Sequence, residues 1–196
     1  MSKGRSGARR RVSFAFLLTA AALSLSSCAQ PSRETFDLAS LPAPHAATAG
    51  GAPLSVREPA AVAPTSTDRV VVRAADGSVS ILPGVQWSER LPRLIQNRMI
   101  GVLQRAGVSA GKVTAGANRA LATDIRRFEI DVARNVAVVE IEARILDEAS
   151  GTTRAAQRFA AEVPAPEHTG APAVYALTQA AREALSRLAA WTRGRA

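Results

Sequence analysis

The sequence predicts an α+β fold, an α/β sandwich in which a mixed, largely antiparallel sheet of about five to six strands carries two long helices on one face. Three observations lead there. Two stretches, Leu91–Ala106 and Val174–Leu188, repeat apolar residues at three- and four-residue steps, the spacing of a single helix stripe. Between them, residues 127–163 alternate apolar and polar side chains in three successive runs, the two-residue period of half-buried strands. With one cysteine there can be no internal disulfide, so the fold must stand on a core that unites these faces.

The chain opens on an address. Lys3, Arg5, Arg9, Arg10 and Arg11 form a cationic start, and Val12–Leu25 is apolar apart from Ser13, Thr19 and Ser24, so residues 1–27 have the layout of a signal peptide. At 14 residues the run falls short of the roughly 20 needed to span a bilayer, which favours removal over permanent insertion. Leu25-Ser26-Ser27-Cys28 has the order of a bacterial lipobox. Cleavage is therefore expected between Ser27 and Cys28, with Cys28 acylated as the first mature residue. Each buried CH₂ of an acyl chain contributes about 0.8 kcal/mol, so two or three such chains would hold the protein permanently at a membrane. Taking 27 residues from 196 leaves 169, enough for one domain and a tail, and removes five positive charges from a net +9, leaving +4.

Residues 28–53 are rich in Pro, Ala, Gly and Thr without hydrophobic period and read as a flexible tether, on the order of 28 Å in mean reach. Thr35-Phe36-Asp37-Leu38 is a short apolar patch inside it, readable as an added edge strand or as loop. The domain proper is expected over residues 54–193. Leu54-Ser55-Val56 is a weak strand ended by Pro59; Arg69–Arg73 is a stronger one, turned by Asp76-Gly77 into a return strand over Val79–Leu82. A helix is expected over Trp87–Ala106, with Ser88 as N-cap, Glu89 at the positive end of the dipole, Pro92 in the first turn and Gly107 ending it. Arg90, Arg93, Gln104 and Arg105 lie on its polar face, read as solvated in preference to a lipid or partner site.

Phe128, Ile130 and Val132 then alternate with Arg127, Glu129 and Asp131, and Arg134-Asn135 turns the chain. Ala137, Val139, Ile141, Ala143 and Ile145 repeat the pattern, and Ala155–Val163 completes an antiparallel meander stopped by Pro164 and Pro166. The last element is a helix over Ala173–Trp191, with Pro172 in its first turn.

No catalytic constellation accompanies this plan. His45 and His168 have no second ligand at metal spacing. Gly107–Lys112 departs from the phosphate-loop spacing and follows a helix without opening one. Glu129, Asp131, Glu140 and Glu142 can face one another across strands, read here as solvated charge. No cofactor is expected, and a mild mature charge with two tryptophans and one tyrosine gives no support to nucleic-acid binding.

Trp87-Ser88-Glu89-Arg90-Leu91-Pro92-Arg93-Leu94-Ile95-Gln96 resembles the signature segment of the ABC-type transport auxiliary lipoprotein family, which includes the PqiC-like outer-membrane lipoproteins. Phe36-Asp37-Leu38 is similar to an early Tyr-Asp-Leu of that family, and Leu121-Ala122-Thr123-Asp124-Ile125 leading into Phe128 also matches. Phe36 departs from the more usual tyrosine. The resemblance implies a domain like the N-terminal domain of TolB and a role beside an ABC permease, an ATPase and an MCE-domain protein that move phospholipids or other hydrophobic molecules between membranes. It marks Trp87, Leu91, Pro92, Leu94 and Gln96 as signature residues, with Trp87 read as packing in preference to partner contact. Ala29, where Asp would retain a lipoprotein at the inner membrane, favours the outer membrane, with the acyl chains in its periplasmic face. The alternative is an unrelated outer-membrane lipoprotein acting as an envelope scaffold, and homo-oligomerisation is open in both.

Overall fold

A 13-residue strand, Arg119–Asp131 (β7), organises the sheet because it is long enough to hold three neighbours. In the computed structural model, which describes residues 32–43 and 52–195, one edge of β7 takes Pro53–Val56 (β2) along its first half and Val71–Arg73 (β3) along its last, both parallel. Its other edge pairs antiparallel with Val136–Asp147 (β8), which in turn pairs antiparallel with Thr153–Pro164 (β9). Val79–Ile81 (β4) returns against β3, and Ser109–Gly111 (β6) adds to β2 in parallel, making seven strands. Glu34–Phe36 (β1) and Val85–Trp87 (β5) form a separate parallel pair.

Leu91–Arg105 (α1) and Gly170–Arg193 (α2) pack against each other; α2 lies over β8 and β9, and α1 reaches β6. The core is what these faces enclose: Leu94, Ile95, Met99 and Leu103 from α1, Leu177, Leu185 and Leu188 from α2, and Phe128, Ile130, Val139, Ile141 and Phe159 from the sheet are all buried. The expected α+β class, the meander and the two covering helices are thus present.

The alternation in β7 changes phase. Leu121 and Ile125 face inward, yet so do Phe128 and Ile130, because the register slips between Ile125 and Arg127 at a β-bulge. The bulge sets Arg126 and Arg127 together on the charged face without breaking the strand. Strand pairing stops at Asp131; Val132–Arg134 is a 3-10 turn closed by Asn135 in the left-handed region at φ 52, so Val132 is not the strand residue its alternation suggested.

Two further expectations are corrected. Helix α1 starts at Leu91, not Trp87: Val85–Trp87 is a strand, with Phe36 opposite Trp87 and Ser88 N–H donating to Phe36 O at 2.7 Å. Ser88 therefore caps nothing, and Arg90 occupies the N-cap position without a side-chain cap. Gly107, at φ 85, follows the end of α1 as expected, and Ser109–Gly111 after it is a strand that the sequence reading did not include. Residues 33–43, inside the stretch read as tether, belong to the folded unit: β1 is a strand, and Leu38 and Leu41 are buried at 2 % exposure each. Residues 44–51 of that stretch, and residues 28–31 together with Ser27, lie outside the described residues.

Candidate functional site

Residues 37–43 cross α1 as a strap, and the side chains that hold it are polar. Arg98 of α1 donates from Nε and Nη2 to Asp37 O at 3.1 and 2.8 Å and from Nη1 to Leu41 O at 3.2 Å. Its guanidinium also lies 3.4 Å from the Asp37 carboxylate. Arg182 of α2 donates from Nη2 to Ser40 O at 3.2 Å. Gly101 permits the crossing, for a β-carbon there would stand 2.2 Å from Pro42 O and 2.8 Å from Ala43 O. Leu38 turns the strap at φ 57, a conformation that disfavours a branched side chain, and its complete burial offsets that cost.

Where the strap leaves the two helices uncovered, a groove of about 520 Å³ opens between them. Its floor is apolar, from Leu41, Pro42, Val102, Ala106 and Ala189, and Arg105, Arg182 and Arg193 stand around it. No acidic side chain lines it. Among the described residues Arg105 and Arg193 have no carboxylate or carbonyl partner, and the buried Nε of Arg182 has no acceptor. The volume is that of a small-molecule site, and the combination is an apolar slot with unspent positive charge.

The signature residues form no such surface. Trp87 is 1 % exposed and meets Phe128 edge-to-face at 5.7 Å; Leu91, Pro92 and Leu94 are buried beneath the strap side of the core. Leu91 N–H donates to Thr67 O at 2.9 Å, and Gln96 donates from Nε2 to Val56 O at 2.8 Å, tying α1 to the end of β2. These residues join the β1–β5 pair, α1 and the main sheet. On the polar face of α1, Arg93 pairs with Glu89 at 3.1 Å, Arg90 donates to Ser66 O, and Gln104 donates to Ala110 O, which leaves Arg105 to the groove.

The carboxylates read as solvated are instead locked into a lattice on the sheet face away from the helices. Glu129 is 4 % exposed and accepts from Arg73 (2.8 and 3.0 Å) and Arg127 (2.6 Å); Asp131 accepts from Arg127 and Arg134. Arg126 to Glu142 and Arg144 to Asp124 extend it. Burial pushes the Glu129 carboxyl up, but the hydrogen bonds from Arg73 and Arg127 outweigh it and hold the group below the ordinary range. Each carboxylate is committed to guanidinium, so the pairs join strands and offer no free acid or base. Among the described residues no group of three or more His, Cys, Asp and Glu could hold a metal ion.

Sequence reasoning missed Arg98, Gly101, Arg182 and Arg193. A glycine inside a strong helical period is a detectable signal, because it costs about 1 kcal/mol relative to alanine and needs a packing reason. The arginines carry none that distinguishes them from surface charge.

Two solved structures share this fold. Protein XCC0632 from Xanthomonas campestris, of the family model DUF330, is 24 % identical with a TM-score of 0.66, over 76 % of this chain and 89 % of that one. The crystal structure of an uncharacterized protein is 16 % identical with a TM-score of 0.68, over 82 % and 99 % of the respective chains. No curated protein matches the sequence. The block from Trp87 to Gln96, the meander and the strap over residues 37–43 fall together inside one family match, spanning residues 36–190: the chain belongs to the family of ABC-type transport auxiliary lipoprotein components.

Proposed function

We propose that this protein is a non-catalytic, lipid-anchored subunit of an envelope transport system that moves phospholipids or other hydrophobic molecules between the inner and outer membranes. The observation that carries the reading is the family match across residues 36–190, which assigns an auxiliary role in ABC-type transport. In this reading Cys28 is acylated after cleavage at Ser27, and Ala29 directs the protein to the periplasmic face of the outer membrane. The folded domain docks an MCE-domain protein that works with the permease and the ATPase.

The anchor geometry differs from that of a long leash. Cys28 lies only six residues before Glu34, the first residue of β1, so an extended chain spans at most about 21 Å between them. The domain therefore sits close to its bilayer, and force on the anchor is transmitted into the β1–β5 pair and the strap. Among the described residues no helix is long and apolar enough to cross a membrane.

Affinity capture of the tagged lipoprotein from mild-detergent extracts tests the docking role. Recovery of an MCE-domain protein is expected; recovery of the lipoprotein alone, at expression levels where the transport complex is present, would refute it. Intact mass of the native protein tests the anchor, with a mature start at Cys28 carrying acyl groups as the expected result.

A further inference from the structure

The groove between α1 and α2 has properties that neither docking nor anchoring uses, and we infer that it binds one anionic membrane lipid, acyl chain along the apolar floor and headgroup phosphate among Arg105, Arg182 and Arg193. Three features of the groove select this occupant. Its lining is mainly apolar, from Leu41, Pro42, Val102, Ala106 and Ala189, with Ser40 and Ser186 as the only uncharged polar side chains, so an acyl chain gains more there than a hydrophilic ligand does. Its charge is of one sign: the three guanidinium groups stand around about 520 Å³ with no lining carboxylate to neutralise them. And those groups are available, since Arg105 and Arg193 have no partner among the described residues and Arg182 spends only Nη2, on Ser40 O, while its Nε has no acceptor. A guanidinium fork pairs with two oxygens of a phosphate at once, which would give that Nε an acceptor.

A peptide segment fits less well. It would bring a row of backbone N–H and C=O groups onto a mainly apolar surface where Ser40 and Ser186 are the only uncharged polar side chains to meet them, and a neutral segment would leave the three positive charges unmatched. The bilayer supplies the lipid nearby: Ser40, at the edge of the groove, is 12 residues from Cys28, at most about 42 Å along an extended chain. The inference rests on the transport reading for its biological sense, naming the class of cargo this subunit touches, but its test is independent of that reading.

The experiment uses the acylated full-length lipoprotein held in phosphatidylcholine nanodiscs that contain a small fraction of a photoactivatable phosphatidylglycerol, or of a photoactivatable phosphatidylcholine with the same chains. Crosslinked peptides are mapped by mass spectrometry. The anionic probe is expected to label the peptides around Val102–Ala106 and Ala189–Ala190 well above the zwitterionic one. In Arg105→Gln, Arg193→Gln that labelling falls by about fivefold per arginine, the scale of one basic residue's attraction to anionic lipid. Both positions are exposed, so the variant keeps the wild-type melting temperature. Equal labelling by the two probes, labelling unchanged in the double variant, or a groove protected by residues 44–51 of the same chain would each overturn the inference. Groove labelling without an MCE partner in the capture experiment would sink the docking role and leave this site standing; capture without labelling would do the reverse.

Discussion

Gly101→Ala separates a strap that is part of the fold from one that merely lies on it. Alanine is about 1 kcal/mol better than glycine inside a helix, so by local propensity alone the variant should be the more stable protein. The structure gives the opposite sign. The new β-carbon would stand 2.2 Å from Pro42 O and 2.7 Å from the Ala43 carbonyl carbon, and both are backbone atoms that cannot rotate away. Relief requires residues 41–43 to lift by about 1 Å or more, which withdraws Leu41 and loosens Leu38, each 2 % exposed. Fully burying a leucine contributes roughly 1.5–3 kcal/mol, so the loss of one side chain and part of a second, less the helix gain, leaves a net destabilisation of about 2–4 kcal/mol. For a domain of this size that lowers the melting temperature by about 4–15 °C. Thermal unfolding of the full mature chain measures it, and hydrogen exchange locates it: protection should fall at Leu41, whose N–H donates to Leu38 O, while α1 stays protected. A variant that melts at or above the wild-type temperature with the Leu41 amide still protected would show that the strap does not press on α1.

Other substitutions test the remaining parts. Arg98→Ala removes the hydrogen bonds to Asp37 O and Leu41 O and should give a similar loss of protection in the strap without steric strain, costing about 1–3 kcal/mol; denaturant unfolding that matches wild type would contradict it. Glu129→Ala leaves Arg73 and Arg127 facing each other at the buried end of the lattice and should cost about 2–3 kcal/mol at pH 7, below the value for a fully buried pair because both arginines are partly exposed. The sign of its pH dependence follows from the lowered folded-state pKa of Glu129. Its contribution is complete above the unfolded value near 4.5 and disappears as pH falls through the folded value, so wild type should lose its advantage over the variant below about pH 4. A difference that stays constant from pH 7 to pH 3 would rule this out. Leu94→Asp or Leu103→Asp puts an unpaired charge into side chains that are 2 % and 0 % exposed and should abolish folding; a cooperative melt near the wild-type temperature would mean that the helix face is assigned wrongly. Cys28→Ala should accumulate as an uncleaved precursor without acyl mass, and normal processing with membrane retention would remove Cys28 as the anchor.

What the sequence made legible follows the strength of its periods. The stripe from Leu91 to Leu103, the meander through Phe128, Ile141 and Phe159, and the αL end at Gly107 each rest on a repeated or conformationally unique signal, and each is where that signal places it. The three-residue strands β5 and β6 are too short to show any period, and both are held parallel to partners distant in sequence, a pairing invisible to local pattern. The neighbours of Trp87 continue the helical spacing and so place it in the helix by sequence, whereas the Phe36 pairing fixes it as a strand residue. The carboxylates of β7 escape the sequence for a related reason: alternation tells which face a residue occupies, not whether Arg73 from another strand will cover it.

The groove belongs to this second class, and the reason is geometric. Arg105 comes from the end of α1, Arg182 and Arg193 from two positions 11 residues apart on α2, and Leu41 from a stretch whose Pro/Ala-rich composition reads as linker. On α2, 11 residues is close to three turns, so both arginines fall on one side of the helix, but nothing in the sequence states which side faces α1. Packing decides that, through Leu177, Leu185 and Leu188 turning toward the sheet and leaving the Arg182–Arg193 line at the helix–helix seam. Residues 37–43 then cover part of the seam, and Leu41 and Pro42 form one wall of the groove. Arg98 and Gly101 hold that strap, the strap continues from β1, and β1 follows Cys28 by six residues. One short stretch thus connects the proposed acyl anchor to the wall of the groove, so a variant that frees the strap should alter lipid labelling at Ala189–Ala190 as well as stability. Gly101→Ala in the nanodisc experiment joins the two measurements: unchanged labelling in a protein whose strap has lost protection would show that the groove does not need its Leu41 wall.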